Sequence, residues 1–272
     1  MTDIQCLQID AFTDRPFAGN PAAVCLLENE QEAPWMQAVA AEMNLSETAF
    51  VRPLNEDFEL RWFTPTVEVE LCGHATLAAA HALWTEGLVD GNNPIRFRTR
   101  SGLLTCTQRG NSIELDFPAI PAYPAALPAP LAEALGVTPV LVAASQFDSL
   151  VLVESAPELR ALQPDFAQLH CIPVRGIIVT SVSDDPRFDF ISRFFAPGAG
   201  INEDPVTGSA HCVLGPFWSE RLGKTEMLAY QASARGGIVR VRVSGERVFL
   251  GGQAVTVCRG ALVATWPDAP RG

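Results

Sequence analysis

The chain has 272 residues, 48% hydrophobic and 18% charged, with a formal net charge of −12. Such a composition belongs to a globular protein rather than a disordered one, with length enough for two domains, each with its own core. Lys and Arg are nowhere clustered, which excludes a surface built to neutralise nucleic-acid phosphates, and no apolar run reaches the roughly 18 residues of a membrane helix. The start, Met1-Thr2-Asp3-Ile4, lacks the basic and apolar layout of a signal peptide, so the expected location is the cytoplasm. There the seven singly scattered cysteines are expected as reduced thiols.

In chain order, residues 4–12 alternate in part and predict a strand. Pro16, Gly19 and Pro21 mark a loop over 13–21, and 22–27 is a short apolar strand. Residues 33–43 predict a helix: Pro34 suits its first turn, Trp35, Val39 and Met43 share a face, and Asn44 ends it. Residues 45–51 predict a strand whose alternation puts Glu47 on the side of Leu45, Ala49 and Val51. A carboxylate facing apolar neighbours is costly unless it is paired, protonated or used. A strand at 58–63 leads to a helix at 73–84. This helix is small and apolar nearly all round (Ala75, Ala78, Ala79, Ala80, Ala82) and is therefore expected to be buried. Strands follow at 95–100, 103–107 and 112–117.

Five prolines between Pro118 and Pro130 predict a stiff linker. Beyond it come strands at 149–153, 176–181 and 187–195, with a short helix at 157–161. A second apolar helix starts at 208, followed by strands at 238–243, 247–250 and 254–259. The last of these has no visible counterpart in the first half and is expected to return to it.

The halves repeat. Arg61-Trp62-Phe63-Thr64-Pro65, an acidic loop (Glu68, Glu70), Gly73-His74-Ala75 and a helix ending at Trp84 and Glu86 match a second series. That series is Arg193-Phe194-Phe195-Ala196-Pro197, Glu203 and Asp204, Gly208-Ser209-Ala210, then Trp218 and Glu220. Gly102, Gly110 and Leu115 recur at the same spacing as Gly237, Gly245 and Leu250. Order kept at a fixed offset of about 135 residues marks two copies of one unit. The fold class is α+β, two pseudo-symmetric domains, each a curled sheet around one helix. The expected spans are 1–117, a linker over 118–130, and 131–253, with 254–272 joining the first domain. The pocket is expected between the copies.

Gly73 and Gly208 each open an apolar helix, where free N–H groups attract anions and the backbone can approach a ligand closely. A facing pair would hold a carboxylate without Lys or Arg; the plainer alternative is two tight strand-to-helix turns. Glu47 is the candidate base, its alternative being a solvated strand carboxylate. His74 and Asp204 precede the paired helices, and Asp204 also suits a helix cap. Ser209 is either a ligand donor or a first-turn residue. Cys72 beside His74 suggests thiolate chemistry. Cys72, His74, His211 and Cys212 suggest zinc, but adjacent helical residues point about 100° apart, so no metal site is expected. His81 is expected to be a packed core histidine.

Taken together, Asp10-Ala11-Phe12-Thr13, Phe17-Ala18-Gly19-Asn20-Pro21, Asn44-Leu45-Ser46-Glu47-Thr48, Leu71-Cys72-Gly73-His74-Ala75-Thr76 and Glu203-Asp204-Pro205-Val206-Thr207-Gly208-Ser209-Ala210 resemble the phenazine-biosynthesis isomerase (PhzF-like) family of the diaminopimelate-epimerase fold. The resemblance spans both halves. It implies two domains, each an open β-barrel around a central helix, and a cofactor-free, metal-free isomerase that is usually a homodimer. In the phenazine enzyme the glutamate at the position of Glu47 shuttles a proton between carbons of a dihydro-hydroxyanthranilate. The supporting residues fall on His74, Asp204, Gly73 and Ser209, around a small carboxylate substrate, with Asn20, Cys72, Thr207 and Gly208 beside them. Related epimerases use two cysteines as opposed bases. Cys72 matches one of those positions, and Thr207, far too weak a base, stands at the other. An epimerase or racemase using Cys72, and a non-catalytic small-acid binder, are the alternatives.

Overall fold

The computed structural model describes residues 3–91, 93–126 and 130–263. Met1 and Thr2, Pro128 of the proline-rich stretch and the tail 264–272 lie outside the described residues. Two runs of strands share one pairing order. In the first, Ile4–Ala11 lies antiparallel to Asn20–Leu26, which runs parallel to Glu47–Pro53. Glu47–Pro53 pairs antiparallel with Phe58–Phe63, which runs parallel to Ile95–Thr99. Gly102–Arg109 and Ser112–Pro118 follow as antiparallel neighbours. In the second, the same alternation links Leu141–Ala144, Asp148–Leu152, Gly176–Val182, Phe190–Phe195, Glu226–Gln231, Gly237–Ser244 and Arg247–Gly252.

The two runs meet edge to edge. Ser112–Pro118 pairs antiparallel with Arg247–Gly252, and Leu115 stands opposite its repeat partner Leu250. A pseudo-two-fold axis therefore passes through that pair. The chain also crosses over at each end. Ala254–Leu262 pairs with Ile4–Ala11, and Tyr123–Pro124 pairs with Ala143 and Ala144. The last strand thus has a counterpart, against the expectation from sequence. Two residues inside a proline-rich stretch carry no strand periodicity, so the match is invisible in the sequence.

Each half wraps a central helix. In Gly73–Thr85, Ala75, Leu77, Ala78, Ala79, Ala80 and Ala82 are wholly buried. Small side chains let strands of the first half pack closely on every face of it. In Gly208–Leu222, Gly215 lies against the sheet, where a Cβ would come 3.1 Å from Val241 Cγ1. Pro216 sits inside this helix and leaves the carbonyl of Cys212 without its usual N–H. Ile120 N–H takes that carbonyl at 3.0 Å, so the proline-rich stretch is tied to the second helix.

The outer helix Ala33–Met43 ends where expected, with Asn44 in the left-handed conformation at φ 49°. Its Trp35 and Met36 pack on Phe50 and Phe63, and Leu45 joins that outer cluster. The strand therefore begins at Glu47, and Leu45 does not share its inner face as expected. Ala49 and Val51 do face the central helix. Leu141–Ala144 and Glu226–Gln231, and the short helices Leu131–Leu135 and Phe166–His170, were not expected. The predicted strand 187–195 starts at Phe190. No helix among the described residues is long and apolar enough to cross a membrane.

The two central helices touch at their starts. A Cβ on Gly73 would lie 3.3 Å from Cα of Gly208, and one on Gly208 would lie 3.3 Å from Cα of Gly73. Any side chain here must push two backbones apart. Gly73→Ala and Gly208→Ala should each cost about 1–3 kcal/mol, read as a lower urea midpoint.

Candidate functional site

The repeated ion pairs shape the approach to each helix. Arg61 holds Glu68 through two bonds of 2.8 and 2.9 Å, and Arg193 holds Glu203 through bonds of 2.7 and 2.9 Å. Each guanidinium also lies over a ring, Phe63 at 5.3 Å and Phe195 at 4.8 Å. Both arginines are the first residues of the repeated motif. With Glu203 so engaged, the next carboxylate, Asp204, pairs with no arginine among the described residues.

A second device presents Asn20. The buried carboxylate of Asp10 accepts Phe17 N–H at 2.7 Å and Arg235 Nη2 at 2.8 Å. Arg235 in turn donates to the carbonyls of Gly19 at 2.8 Å and Ala18 at 3.0 Å. Gly19 adopts φ +65°, and a Cβ there would meet the carbonyl oxygen of Ala11 at 2.1 Å, so no other residue fits. The loop therefore hands Asn20, wholly buried, to the cleft between the halves.

There the residues converge. His74 Nε2 lies 3.1 Å from Glu47 Oε2, at ion-pair distance but out of hydrogen-bond alignment. His74 Nδ1 is 3.5 Å from Cys72 Sγ and 3.2 Å from Asn20 Nδ2. Asn20 Nδ2 donates to Asp204 Oδ1 at 2.7 Å and to the Val206 carbonyl at 2.9 Å, while its Oδ1 has no partner. Thr207 Oγ1 donates to Asp204 Oδ2 at 2.5 Å. Gln231, fully buried, accepts Thr207 N–H at 2.8 Å and donates to the Asp204 carbonyl at 2.8 Å. One continuous network thus runs from Glu47 in the first half to Gln231 in the second.

The charges follow from burial and neighbours. Burial opposes a charge on His74, but the Cys72 sulfur and the Glu47 carboxylate outweigh it and hold the imidazole well above its usual value. Burial, then the Glu47 charge, pushes the Cys72 thiol up, against the pull of His74. Burial pushes Asp204 up to about 6; His74 opposes this, the Glu47 charge adds to it, and the bonds from Thr207 and Asn20 oppose it.

Of the residues singled out in the sequence, Glu47, His74, Asp204, Asn20, Cys72 and Thr207 come together, and Gly73 meets Gly208. Ser209 stands apart and accepts a bond of 3.1 Å from Arg175 Nη2. His211 turns away: its Nδ1 donates to the Thr207 carbonyl at 2.8 Å, and burial lowers its pKa to about 4. Burial also pushes Cys212 up to about 12. Glu47, Cys72 and His74 bring ligand atoms within 4.8 Å of one another, but Cys72 lies beside Nδ1 and Glu47 beside Nε2, on opposite edges of one ring. His81 is not a simple core residue; its Nε2 lies 3.0 Å from Thr256 Oγ1 on the strand that returns from the second half. Gln231, Arg235 and Arg175 went unseen in the sequence, because each acts on residues at least 24 positions away.

Over residues 9–260 the chain matches the family model described as phenazine biosynthesis-like protein. A protein of Halalkalibacterium halodurans named an uncharacterized isomerase is 54% identical over 256 residues, which cover 94% of this chain and 97% of that one. The crystal structure of a PhzF-family phenazine biosynthesis protein from Enterococcus faecalis superposes with a TM-score of 0.93 at 38% identity, covering 97% of this chain and all of that one. A probable proline racemase from Agrobacterium radiobacter, 12% identical with a TM-score of 0.65 over 98% of this chain and 94% of that one, shares the fold. The architecture is therefore that of the diaminopimelate-epimerase-like proteins.

The raised Asp204 pKa sets a pH dependence. The folded state binds this proton more tightly than the unfolded chain, so its stabilising contribution is full in acid and is lost as pH rises through about 6. Asp204→Asn should therefore gain stability relative to the parent between about pH 4 and about pH 7, measured by urea midpoints. Glu47→Gln, which removes the neighbouring charge, should lower the Asp204 pKa in a carboxyl NMR titration.

Proposed function

The chain belongs to the phenazine biosynthesis-like protein family, and from that premise we propose that it is a cofactor-independent isomerase that moves a proton on a small carboxylate. The observation that carries this reading is Glu47 Oε2 at 3.1 Å from His74 Nε2, in a cleft where the carboxylate favours a charged imidazole. Glu47, half-buried at the head of its strand, takes a proton from a carbon made acidic by conjugation or by the adjoining carboxylate, and returns it at another carbon. While Glu47 carries the proton, the neighbouring His74 offsets the negative charge left on the substrate. The starts of the two central helices supply N–H groups for the substrate's negative charge. Asp204, near its midpoint, exchanges a proton with the substrate's polar substituents, while Asn20, Thr207 and Gln231 hold it in place.

Opposed-base racemisation fits these residues less well. Thr207, at the place of a second thiol, spends its hydroxyl on Asp204. Gly176 pairs with Asp148 as Glu47 pairs with Ala22, and a Cβ on it would lie 2.2 Å from the Phe194 ring. The half opposite Glu47 therefore carries no second base at that position. The reading also takes the protein as a cytoplasmic homodimer that works without metal.

The test is proton exchange in deuterated water. Small cyclic and acyclic unsaturated carboxylates, dihydro-hydroxyanthranilate among them, are followed by NMR. Deuterium uptake or double-bond movement is expected with the parent and should fall by at least about 100-fold in Glu47→Gln. Cys72→Ser should retain most of it. Exchange confined to one stereocentre and lost in Cys72→Ser would support an epimerase instead. Binding without any exchange would support a non-catalytic binder.

A further inference from the structure

The turn between the strands Glu226–Gln231 and Gly237–Ser244 belongs to the second half, yet it holds partners from both halves. Toward the first half, the Gly236 carbonyl accepts Gly19 N–H at 2.7 Å, and Ile238 N–H donates to the Phe12 carbonyl at 2.9 Å. Arg235 adds its Nε to the Gly19 carbonyl at 2.8 Å, and its Nη2 to the Ala18 carbonyl at 3.0 Å and to Asp10 Oδ1 at 2.8 Å. Toward its own half, Ser233 Oγ donates to the Pro205 carbonyl at 2.8 Å, and Gln231 donates to the Asp204 carbonyl at 2.8 Å. Gly236 N–H bonds Ser233 Oγ at 3.0 Å, so the two arms are tied to one another.

The arms end on the two partners of a single hydrogen bond. One carries Asn20, next to Gly19; the other carries Asp204, next to Pro205. Asn20 Nδ2 meets Asp204 Oδ1 at 2.7 Å. The first arm has the harder task. Phe12 and Phe17 stand in the left-handed region, at φ 61° and 67°, which non-glycine residues resist. The loop keeps this shape through bonds to its backbone, and Arg235 supplies them from the opposite half. Asp10, which anchors the guanidinium, is almost wholly shut off from water, so the ion pair is costly to break from one side. A planar guanidinium serves several acceptors in fixed directions, which an ammonium cannot.

We propose that Arg235 is a positioning residue: through the loop that ends in Asn20, it sets the Asn20 amide against Asp204 and so readies Asp204 for proton exchange. The titratable groups around Asp204 are Glu47 and His74, with Cys72 beside His74, while Glu203 is held by Arg193. Arg235 acts on Asp204 through Asn20, not through its own charge. A donor on the carboxylate favours its charged form, so Asp204 holds its proton more tightly once Asn20 is displaced. The inference rests on the isomerase reading for the part Asp204 plays in turnover, but not for the contact itself.

The test follows the Asp204 carboxyl by NMR titration of the free protein, with kcat and KM for any panel carboxylate that exchanges. Arg235→Gln alone would strand the Asp10 carboxylate, so it is combined with Asp10→Asn, which also leaves the net charge unchanged. In this pair variant the Asp204 midpoint should rise by about one pH unit, as in Asn20→Ala, and the three substitutions together should shift it no further. Arg235→Lys, which keeps the charge and loses the fork, should give a smaller rise. In the pair variant kcat should fall about tenfold with KM little changed. An unmoved midpoint in the folded pair variant, a further shift when the pair is added to Asn20→Ala, or a shifted midpoint with kcat unchanged overturns the inference. Should the pair variant not fold, an unmoved midpoint in Arg235→Lys does the same. A shifted midpoint in a protein that exchanges no proton with any carboxylate supports the positioning and removes the isomerase.

Discussion

Where Gly73 and Gly208 meet, a β-carbon on either would lie 3.3 Å from the other's Cα, and the rest of the molecule is arranged around that contact. The absence of two β-carbons lets both helices begin at one point on the pseudo-two-fold axis. Their free N–H groups and positive dipole ends then face a common space. The sheets follow. Leu115 pairs with Leu250 on the same axis, and each half sends its closing strand to the other. The crossed strands matter mechanically. They tie the halves together at three strand pairings instead of one.

Chemistry arises where the symmetry is broken. The scaffold repeats down to its ion pairs, Arg61 with Glu68 and Arg193 with Glu203. The residues at the axis do not repeat. His74 faces Ser209, Cys72 faces Thr207, and Glu47 has only Gly176 as its counterpart. A symmetric pocket would treat both faces of a bound molecule alike. In the first half Glu47 stands beside His74, and in the second Ser209 takes a bond from Arg175.

Much of this was legible in the chain. Fixed spacing between motifs revealed the duplication, because loops and helices of equal length conserve an offset. The alanine-rich run 73–84 revealed a buried helix, because no face of it suits water. Alternation around Ala49 and Val51 singled out Glu47, although the same argument wrongly recruited Leu45, which packs on the outer helix instead. Motif context brought in Asn20, His74 and Asp204. The short strand at Tyr123–Pro124 and the strand at Leu141–Ala144 left no periodic signal, being too brief or too uniformly apolar to read.

The sequence alone determined the two-copy α+β plan, the two glycine-started helices and the identity of the acid–base candidates, since these depend on local pattern and on repetition along the chain. Only the tertiary structure decided which charges act together. Arg235 holding Asp10 across 225 positions, Gln231 bracing Thr207, and Arg175 on Asp148 and Ser209 are contacts between side chains with no shared periodicity. So is the raised pKa of Asp204, which no segment encodes. It exists because folding strips water from a carboxyl and sets the Glu47 charge nearby, and both are properties of the assembled cleft.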